Sequence, residues 1–449
     1  MFKRLASLLL VIGTSFALLT LVEMPNLKIG STNEGQLISV DPKQPQLICP
    51  GPVFVNGGET GLKLGKFTQS GLASISGIDG SNPLRINEAG HRTIDGQSAD
   101  SQDFNAVQAQ RAQQKLAGGL AATNCLPGQN DAWFVAGDNS VGREALLILV
   151  NPSVVDATVS LQLIGTDGSI QGTGLSGISA PARAVTVLPL AAFAPKVSTF
   201  AVQVSSRGAA LGMWLQQKTI RGLTPGGFDL VGPSPAAQKF VLIPGLFIRS
   251  SAKLLALAAK DSDYEDTRTY LRVVAPGTRD ATFTAQVQGA DGASFGTVIQ
   301  GTVSAGTVKD FELADLADGN YSVQIDSNEP ILASASFNRM DSGEPDLAWA
   351  TAVNPGTLKA GFTTVPGSFS KLSIVNPGAA SGSFTLNGLT QSIAANSNVV
   401  VTLSSGVSYR LSSTVPVAAS TVIDISSSIA VTPVLDYRSL AGQLKVIIR

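Results

Sequence analysis

The sequence predicts an all-β protein: three tandem antiparallel β-sandwich domains behind an N-terminal transmembrane helix or signal sequence, with one short helix in the Cys49 to Cys125 region. Three observations carry that expectation. A unit of strand, proline break, strand and tight turn recurs three times, twice at identical spacing and once shortened, apolar and polar residues alternate within the strands, and helix-length periodicity is almost absent. The resulting divisions are a signal anchor or signal peptide over 1–25, an irregular region over 26–129, and repeats over 130–235, 236–345 and 346–449.

The first element is the N-terminal run. Lys3 and Arg4 precede an uncharged, mainly apolar stretch from Leu5 to Val22, which as a helix would span roughly 27 Å and nearly cross a bilayer. Basic residues before it and Glu23 after it put the N-terminus in the cytoplasm and the bulk outside. Ser15-Phe16-Ala17 also satisfies the small-x-small pattern of a signal-peptide cleavage site. The run continues past that site through Leu18-Leu19-Thr20-Leu21-Val22, so the reading is a single-pass cell-membrane anchor through residues 5–22. Secretion after cleavage is the alternative, and both export the chain.

Export bears on Cys49 and Cys125, the only cysteines. An even count in an oxidising compartment points to a disulfide, worth at most roughly 4 kcal/mol for so long a loop. Between them, Ser101 to Leu116 reads as a helix with Phe104 and Val107 on one face, and Gly57 to Ala99 reads as irregular loops or hairpins.

The repeats follow. Leu146-Leu147-Ile148-Leu149-Val150-Asn151-Pro152 leads to Asp156-Ala157-Thr158-Val159-Ser160 and then Asp167-Gly168. Leu271-Arg272-Val273-Val274-Ala275-Pro276 leads, at the same spacing, to Asp280-Ala281-Thr282-Phe283-Thr284 and Asp291-Gly292. The shortened third copy has Leu372-Ser373-Ile374-Val375-Asn376-Pro377, Gly382-Ser383-Phe384-Thr385 and Asn387-Gly388. Proline cannot donate to a ladder, so each first strand stops there. Val159, Leu161 and Leu163 then alternate with Ser160 and Gln162, as a half-buried strand requires. Asp-Gly or Asn-Gly closes the hairpin because both residues tolerate positive φ. A final strand pair places Leu211, Ile331 and Val417 at equivalent positions.

Composition bounds the function. Only 14% of residues are charged, against about 25% in an average protein. Thirty-one basic and 32 acidic residues leave a net charge of -1, which gives no footprint for nucleic acid.

The stretch Gly118-Gly119-Leu120-Ala121-Ala122-Thr123-Asn124-Cys125-Leu126-Pro127, followed by Asp131-Ala132-Trp133-Phe134-Val135-Ala136-Gly137, is distinctive. Together with Trp214-Leu215-Gln216-Gln217 and Gly222-Leu223-Thr224-Pro225-Gly226-Gly227-Phe228-Asp229, it resembles an actinobacterial exported family known only as a domain of unknown function. The resemblance covers roughly Cys49 to the C-terminus. It implies an extracytoplasmic protein and carries over no catalytic residue.

Candidate chemistry is sparse. His91, the only histidine, sits in Ala89-Gly90-His91-Arg92, where a loop surface position is the bland reading. Gly292-Ala293-Ser294-Phe295-Gly296 matches a nucleophile elbow, but its counterpart Gly168-Ser169-Ile170-Gln171-Gly172 belongs to a hairpin. Gly172-Thr173-Gly174-Leu175-Ser176-Gly177 matches a dinucleotide loop without the helix that should follow. Asp261, Asp263, Glu265 and Asp266 supply enough carboxylates to begin a calcium site, though the EF-hand glycine and terminal glutamate are missing. Trp214, opposite in phase to Met213 and Leu215, is a candidate ligand contact if its face is exposed.

The expected function is a noncatalytic envelope protein with a structural or binding role, no cofactor, and an envelope protein or cell-wall polymer as partner. A carbohydrate-binding module is the alternative, and a carboxylate-dependent glycosidase a weaker one.

Overall fold

The computed structural model describes residues 46–57, 63–79, 82–96, 102–114, 117–290 and 297–436, and the strands Gln36–Ser39 and Gln443–Val446. Contacts divide the chain into two units. In the smaller, Gln36–Ser39 pairs antiparallel with Gln443–Val446. The larger, Gln44–Ser439, is mostly β. The apolar run 5–22 and the serine string 292–296 lie outside the described residues.

Within the larger unit one arrangement of eight strand positions occurs three times. In the first copy the strands are Asp131–Phe134, Arg143–Asn151, Ala157–Gly165, the split pair Gly168–Ile170 and Ile178–Ala180, Ala184–Pro189, Phe200–Arg207, Gly212–Arg221 and Thr224–Val231. The second runs from Gln238–Ile248 through Tyr270–Ala275, Ala281–Gly289, Val298–Val303 and Thr307–Glu312. One long strand, Gly319–Arg339, then fills the sixth and seventh positions, and Asp346–Thr351 ends the copy. The third runs from Lys359–Thr363 to Ser428–Pro433. In every copy one sheet has the order first, sixth, third, fourth and the other has fifth, second, seventh, eighth, all antiparallel.

The two sheets share a core because alternation gives each one apolar face. Leu147 and Leu149 of one sheet cluster with Val159, Leu163, Val202 and Val204 of the other, all buried. The Asn387-Gly388 turn adopts φ of 46° and 84°, as a two-residue hairpin demands. Asp346–Thr351, placed by the sequence in the third repeat, pairs with the end of Gly319–Arg339 and so completes the second. A helix that the strand pattern did not reveal, Ser251–Lys260, sits between the first and second strands of that copy, burying Leu254 and Ala258.

Among its described residues, the N-terminal region is built of strands and holds no helix. Ser101 to Leu116 was expected to hold a helix, but Phe104–Gln114 is a strand laddered to Ala73–Asp79 and Ala117–Asn124. Alanine and glutamine favour helix locally, and the two ladders override that preference. Gln108 and Gln110 turn inward, where their amides bond the backbone of Gly51, Val53 and Ser70. Gly57 to Ala99 supplies further strands, Lys63–Gln69 to Arg92–Asp95. Gln46–Cys49 pairs with Arg92–Asp95, and Pro83–Glu88, Ala73–Asp79, Phe104–Gln114 and Ala117–Asn124 form one sheet in that order. These match the first and sixth positions, and then the fifth, second, seventh and eighth. The region is thus a fourth copy with no third or fourth strand among the described residues, and with the hairpin of Phe54–Gly57 and Lys63–Gln69 inserted. Cys49 and Cys125, both fully buried, are disulfide-bonded across it.

The four eighth strands converge. Ala117–Asn124 and Asp346–Thr351 each lie against both Thr224–Val231 and Ser428–Pro433, closing a ring. Asp346 stands inside it. Its Oδ1 accepts from Phe228 N and Leu347 N at 3.0 Å, and its Oδ2 from Leu120 N and Ile429 N at 2.9 Å. Phe228, Leu347 and Ile429 face Lys218, Asn338 and Asp424. Those three fall seven residues after the aligned Leu211, Ile331 and Val417. Equivalent amides of the repeats therefore meet at one carboxylate. Gly119 makes the approach possible: its φ is +139°, and a Cβ there would lie 2.1 Å from Asp346 Oδ1. Next to it, Asp229 Oδ2 accepts from Trp349 N at 2.7 Å.

Burial pushes the Asp346 carboxyl up to about 7, against the pull of its four backbone donors, and burial also raises Asp229 well above the usual range. Because the folded value exceeds the unfolded 3.8, the contribution is complete below pH 3.8 and is lost as pH rises through 7. Asp346 alone should make unfolding free energy rise by roughly 4 kcal/mol from pH 8 to pH 3.8. Chemical denaturation of Asp346→Asn should show that slope reduced, and an unchanged slope would refute the assignment. Asp346→Ala leaves four buried amides without an acceptor and should cost about 3 kcal/mol or more at any pH. Gly119→Ala should destabilise through the same contact.

Candidate functional site

The ring of eighth strands has two ends. Where the strands begin, a depression of about 320 Å³ is bordered by Arg111 and Thr224 of strands and by Glu344, Ser426 and Ser427 of turns, and it reaches Asp346. Its charges are engaged. Arg111 Nη2 donates to Ser426 O at 3.3 Å, and Glu344 accepts from the Tyr264 hydroxyl at 3.1 Å and faces Arg221 at 4.0 Å. Ser426 and Ser427 hold φ of 47° and 73° in the two-residue turn.

Where the strands end, a pocket of about 620 Å³ opens among the four segments that leave the repeats. These are Leu126-Pro127, Pro233-Ser234-Pro235, Asn354-Pro355-Gly356 and Pro433-Val434-Leu435-Asp436. Each carries proline because the chain must leave the sheet at that point. Ser234 Oγ is buried with no hydrogen-bond partner among the described residues. This pocket is the candidate site. A third depression, about 640 Å³, lies on the second repeat and is lined by Thr284, Gln300, Thr302, Asp326, Asn328 and Phe311, among others.

The residues singled out in the sequence fall elsewhere. Trp214 is fully buried, packed with Ile48, Leu126 and Phe228, and its Nε1 donates to Asn124 O at 3.3 Å. No face of it is open to a ligand. The strand carrying it is buried on both faces, since its outer face meets the N-terminal copy, so phase did not decide exposure.

The structure does not bring Asp261, Asp263, Glu265 and Asp266 together around one point. They lie at the start of and along the 3-10 turn Ser262–Thr267, and Asp261 Oδ1 caps it by accepting from Asp263 N. Asp266 bridges Arg143 at 3.0 Å and Arg221 at 2.6 Å. Among the described residues, no group of three or more His, Cys, Asp or Glu is placed to hold a metal. His91 is half-buried in a loop, and Gly172–Gly177 is a turn followed by the strand Ile178–Ala180. No helix among the described residues is long and apolar enough to cross a membrane.

No sequence motif marks the pair Asp229 and Asp346. Their signal is an acid within an apolar run, Phe228-Asp229-Leu230-Val231 and Asp346-Leu347-Ala348-Trp349. Such a residue is buried at a cost unless hydrogen-bonded.

Comparison with known proteins adds one assignment. No curated protein matches this chain. One solved structure, described as the crystal structure of Thermotoga maritima 1070, is 15% identical, covers 26% of this chain and 94% of its own, and superposes with a TM-score of 0.22. A family model matches residues 86–414, from the fifth strand of the truncated copy into the third full repeat. This chain belongs to that family, DUF5719, a family of unknown function.

Proposed function

We propose that this is a noncatalytic envelope protein, exported behind a membrane anchor or cleaved signal at residues 1–25, whose tandem β-sandwiches act as a rigid scaffold for binding another envelope component. The observation that carries this reading is the use made of the buried acids. The oxygens of Asp229 and Asp346 are taken by backbone amides, those of Leu230 and Leu347 beside them and those of Trp349, Leu120, Phe228 and Ile429 from neighbouring copies. A carboxylate-dependent hydrolase needs such groups free in a cleft, so the buried pair supports cohesion and gives the glycosidase reading nothing. Lys3, Arg4 and the run 5–22 support export, and the Cys49–Cys125 bridge is in keeping with an oxidising compartment.

A second reading, a carbohydrate-binding module, draws on the depression of the second repeat. Thr284, Gln300, Asp326 and Asn328 supply hydroxyl, amide and carboxylate groups beside the partly buried Phe311 ring. Lys309 Nζ already lies 5.2 Å from that ring's centroid, which competes with a sugar stacking there. The scaffold reading is therefore preferred.

Two outcomes test it. An alkaline phosphatase fused to the C-terminus should be active and a fluorescent reporter requiring the cytoplasm should be dark, whereas the opposite pattern would reject export. Replacing Cys49 and Cys125 with serine should lower stability by up to roughly 4 kcal/mol, read by denaturation of oxidised protein, and free thiols at both positions in mature protein would contradict the compartment.

A further inference from the structure

Among the described residues, the truncated copy is open on a side where the other three copies are closed. In the full repeats the sixth strand lies between the first and the third, and the third pairs in turn with the fourth. In the truncated copy the chain passes from the second strand, Ala73–Asp79, to the fifth, Pro83–Glu88, through residues 80–82 alone, and Asp79 N donates to Asn82 O at 3.2 Å. The same step in the first repeat takes residues 152–183, which hold both of the strands absent here. The sixth strand, Arg92–Asp95, therefore pairs with Gln46–Cys49 on one side and with no described strand on the other.

The register shows which groups face that open edge. Ile48 gives and takes its backbone bonds with Leu126, on the far side of its strand, so Ile48 and Thr93 stand opposite each other without ladder bonds between them. The N–H and C=O of Thr93, and of Asp95 two residues on, point to the open edge. Behind it lies an apolar floor. Ile75 and Ile94 are buried, while Leu84 and Ile86 of the fifth strand are only partly covered.

A side chain marks the same place. Phe104 stands seven residues before Arg111, which faces Leu120, as Leu211 stands before Lys218 and Val417 before Asp424. Asp79 is opposite Phe104. Continuing the equivalent ladders by one step puts Asn151 opposite Leu211 and Asn376 opposite Val417. Both asparagines are fully buried, and each Nδ2 donates to two carbonyls at the ends of the third and fourth strands, Val155 and Ala180 for Asn151, Ala380 and Ala394 for Asn376, at 2.8 to 2.9 Å. Asp79 offers acceptors where they offer donors, and its Oδ1 is buried with no hydrogen-bond partner among the described residues. A buried oxygen in that state is costly until an N–H or a cation reaches it.

We propose that the open edge of the truncated copy is a docking groove for an extended strand of an envelope partner, which completes the sandwich as its third strand. The full repeats show what fits there: strands with buried apolar residues at alternate positions, Val159, Leu161 and Leu163 in the first, Phe283, Ala285 and Val287 in the second, Phe384 and Leu386 in the third. Backbone groups of Thr93 and Asp95 supply ladder bonds to any sequence, the alternate apolar residues fill the floor, and Asp79 selects a basic residue at the strand's N-terminal end. The assignment deepens the binding role proposed above by naming the form of the bound segment.

Two synthetic peptides test it: residues 156–165, the third strand of the first repeat, and the same peptide carrying Asp156→Lys. Calorimetric titration of the full-length protein should show both binding, the lysine peptide about threefold or more tighter. Asp79→Asn should remove that preference. Thr93→Pro deletes an N–H that the ladder to Gln46–Cys49 does not use, so the fold stands, and it should weaken both peptides about tenfold or more. A peptide carrying Val159→Ser, Leu161→Ser and Leu163→Ser should not bind. Hydrogen exchange gives the direct reading: the Thr93 amide should exchange freely in the protein alone and become protected with peptide. No binding up to about 1 mM, no preference for the lysine peptide, equal binding of the serine peptide, or full affinity in Thr93→Pro would overturn the proposal. A Thr93 amide already protected in the protein alone would also overturn it, and protection that grows with protein concentration would make the occupant a second copy of this chain. Those results would leave the export and scaffold reading standing, because reporter topology and the disulfide test it separately.

Discussion

The carboxylate of Asp346 accepts a backbone N–H from the eighth strand of each repeat and of the truncated copy, at 2.9 to 3.0 Å. Each of those strands is the edge of its own sheet. An edge carries N–H groups with no ladder partner, and a buried one must find an acceptor or cost stability. Four such edges meeting at an axis turn equivalent donors toward one point, where a carbonyl from any single strand could serve only its neighbour. A carboxylate has lone pairs for all of them. One side chain thus solves for four copies the problem that closure into a barrel would otherwise solve.

Consequences spread outward from that point. The sheets holding the eighth strands must bury their outer faces as well as their inner ones, so Gly212–Arg221 reads almost entirely apolar or buried and takes in Trp214. Neighbouring copies are stitched by further polar groups that face backbone. Arg272 of the second repeat holds Asp310 in a bidentate pair, donates to Gly137 O and Phe200 O of the first, and lies 4.9 Å from the Trp349 ring centroid. Asn124 reaches Pro433 O at 2.6 Å between the first and last eighth strands. The ring also places four proline-bearing exits around one pocket, which is why the candidate site lies on the axis and not on any single sandwich.

The periodic part of this fold was legible in the sequence. Alternation at Val159, Leu161 and Leu163, the proline stops at Pro152, Pro276 and Pro377, and the Asn387-Gly388 turn report local backbone requirements, and local requirements are written locally. The truncated copy was not legible, because losing two strands erased its spacing and the Ala- and Gln-rich stretch around Val107 favours helix until its ladders form. The Cys49–Cys125 bridge followed from the even cysteine count together with the expected export. The surroundings of Trp214 and of the acids from Asp261 to Asp266 were not legible, because exposure and pairing there depend on another repeat, through Ile48, Arg143 and Arg221. Asp346 joins residues as far apart as Leu120 and Ile429, and its role appears only when the copies are brought together.

If one carboxylate closes the ring, the amides of Leu120, Phe228, Leu347 and Ile429 should lose protection together. Native-state hydrogen exchange measures this most directly. The account predicts one shared opening free energy for these four amides, close to that of global unfolding, because freeing any one of them means dissolving the hub. Four independent values, with Leu120 or Ile429 exchanging through local openings while Phe228 and Leu347 remain protected, would contradict it.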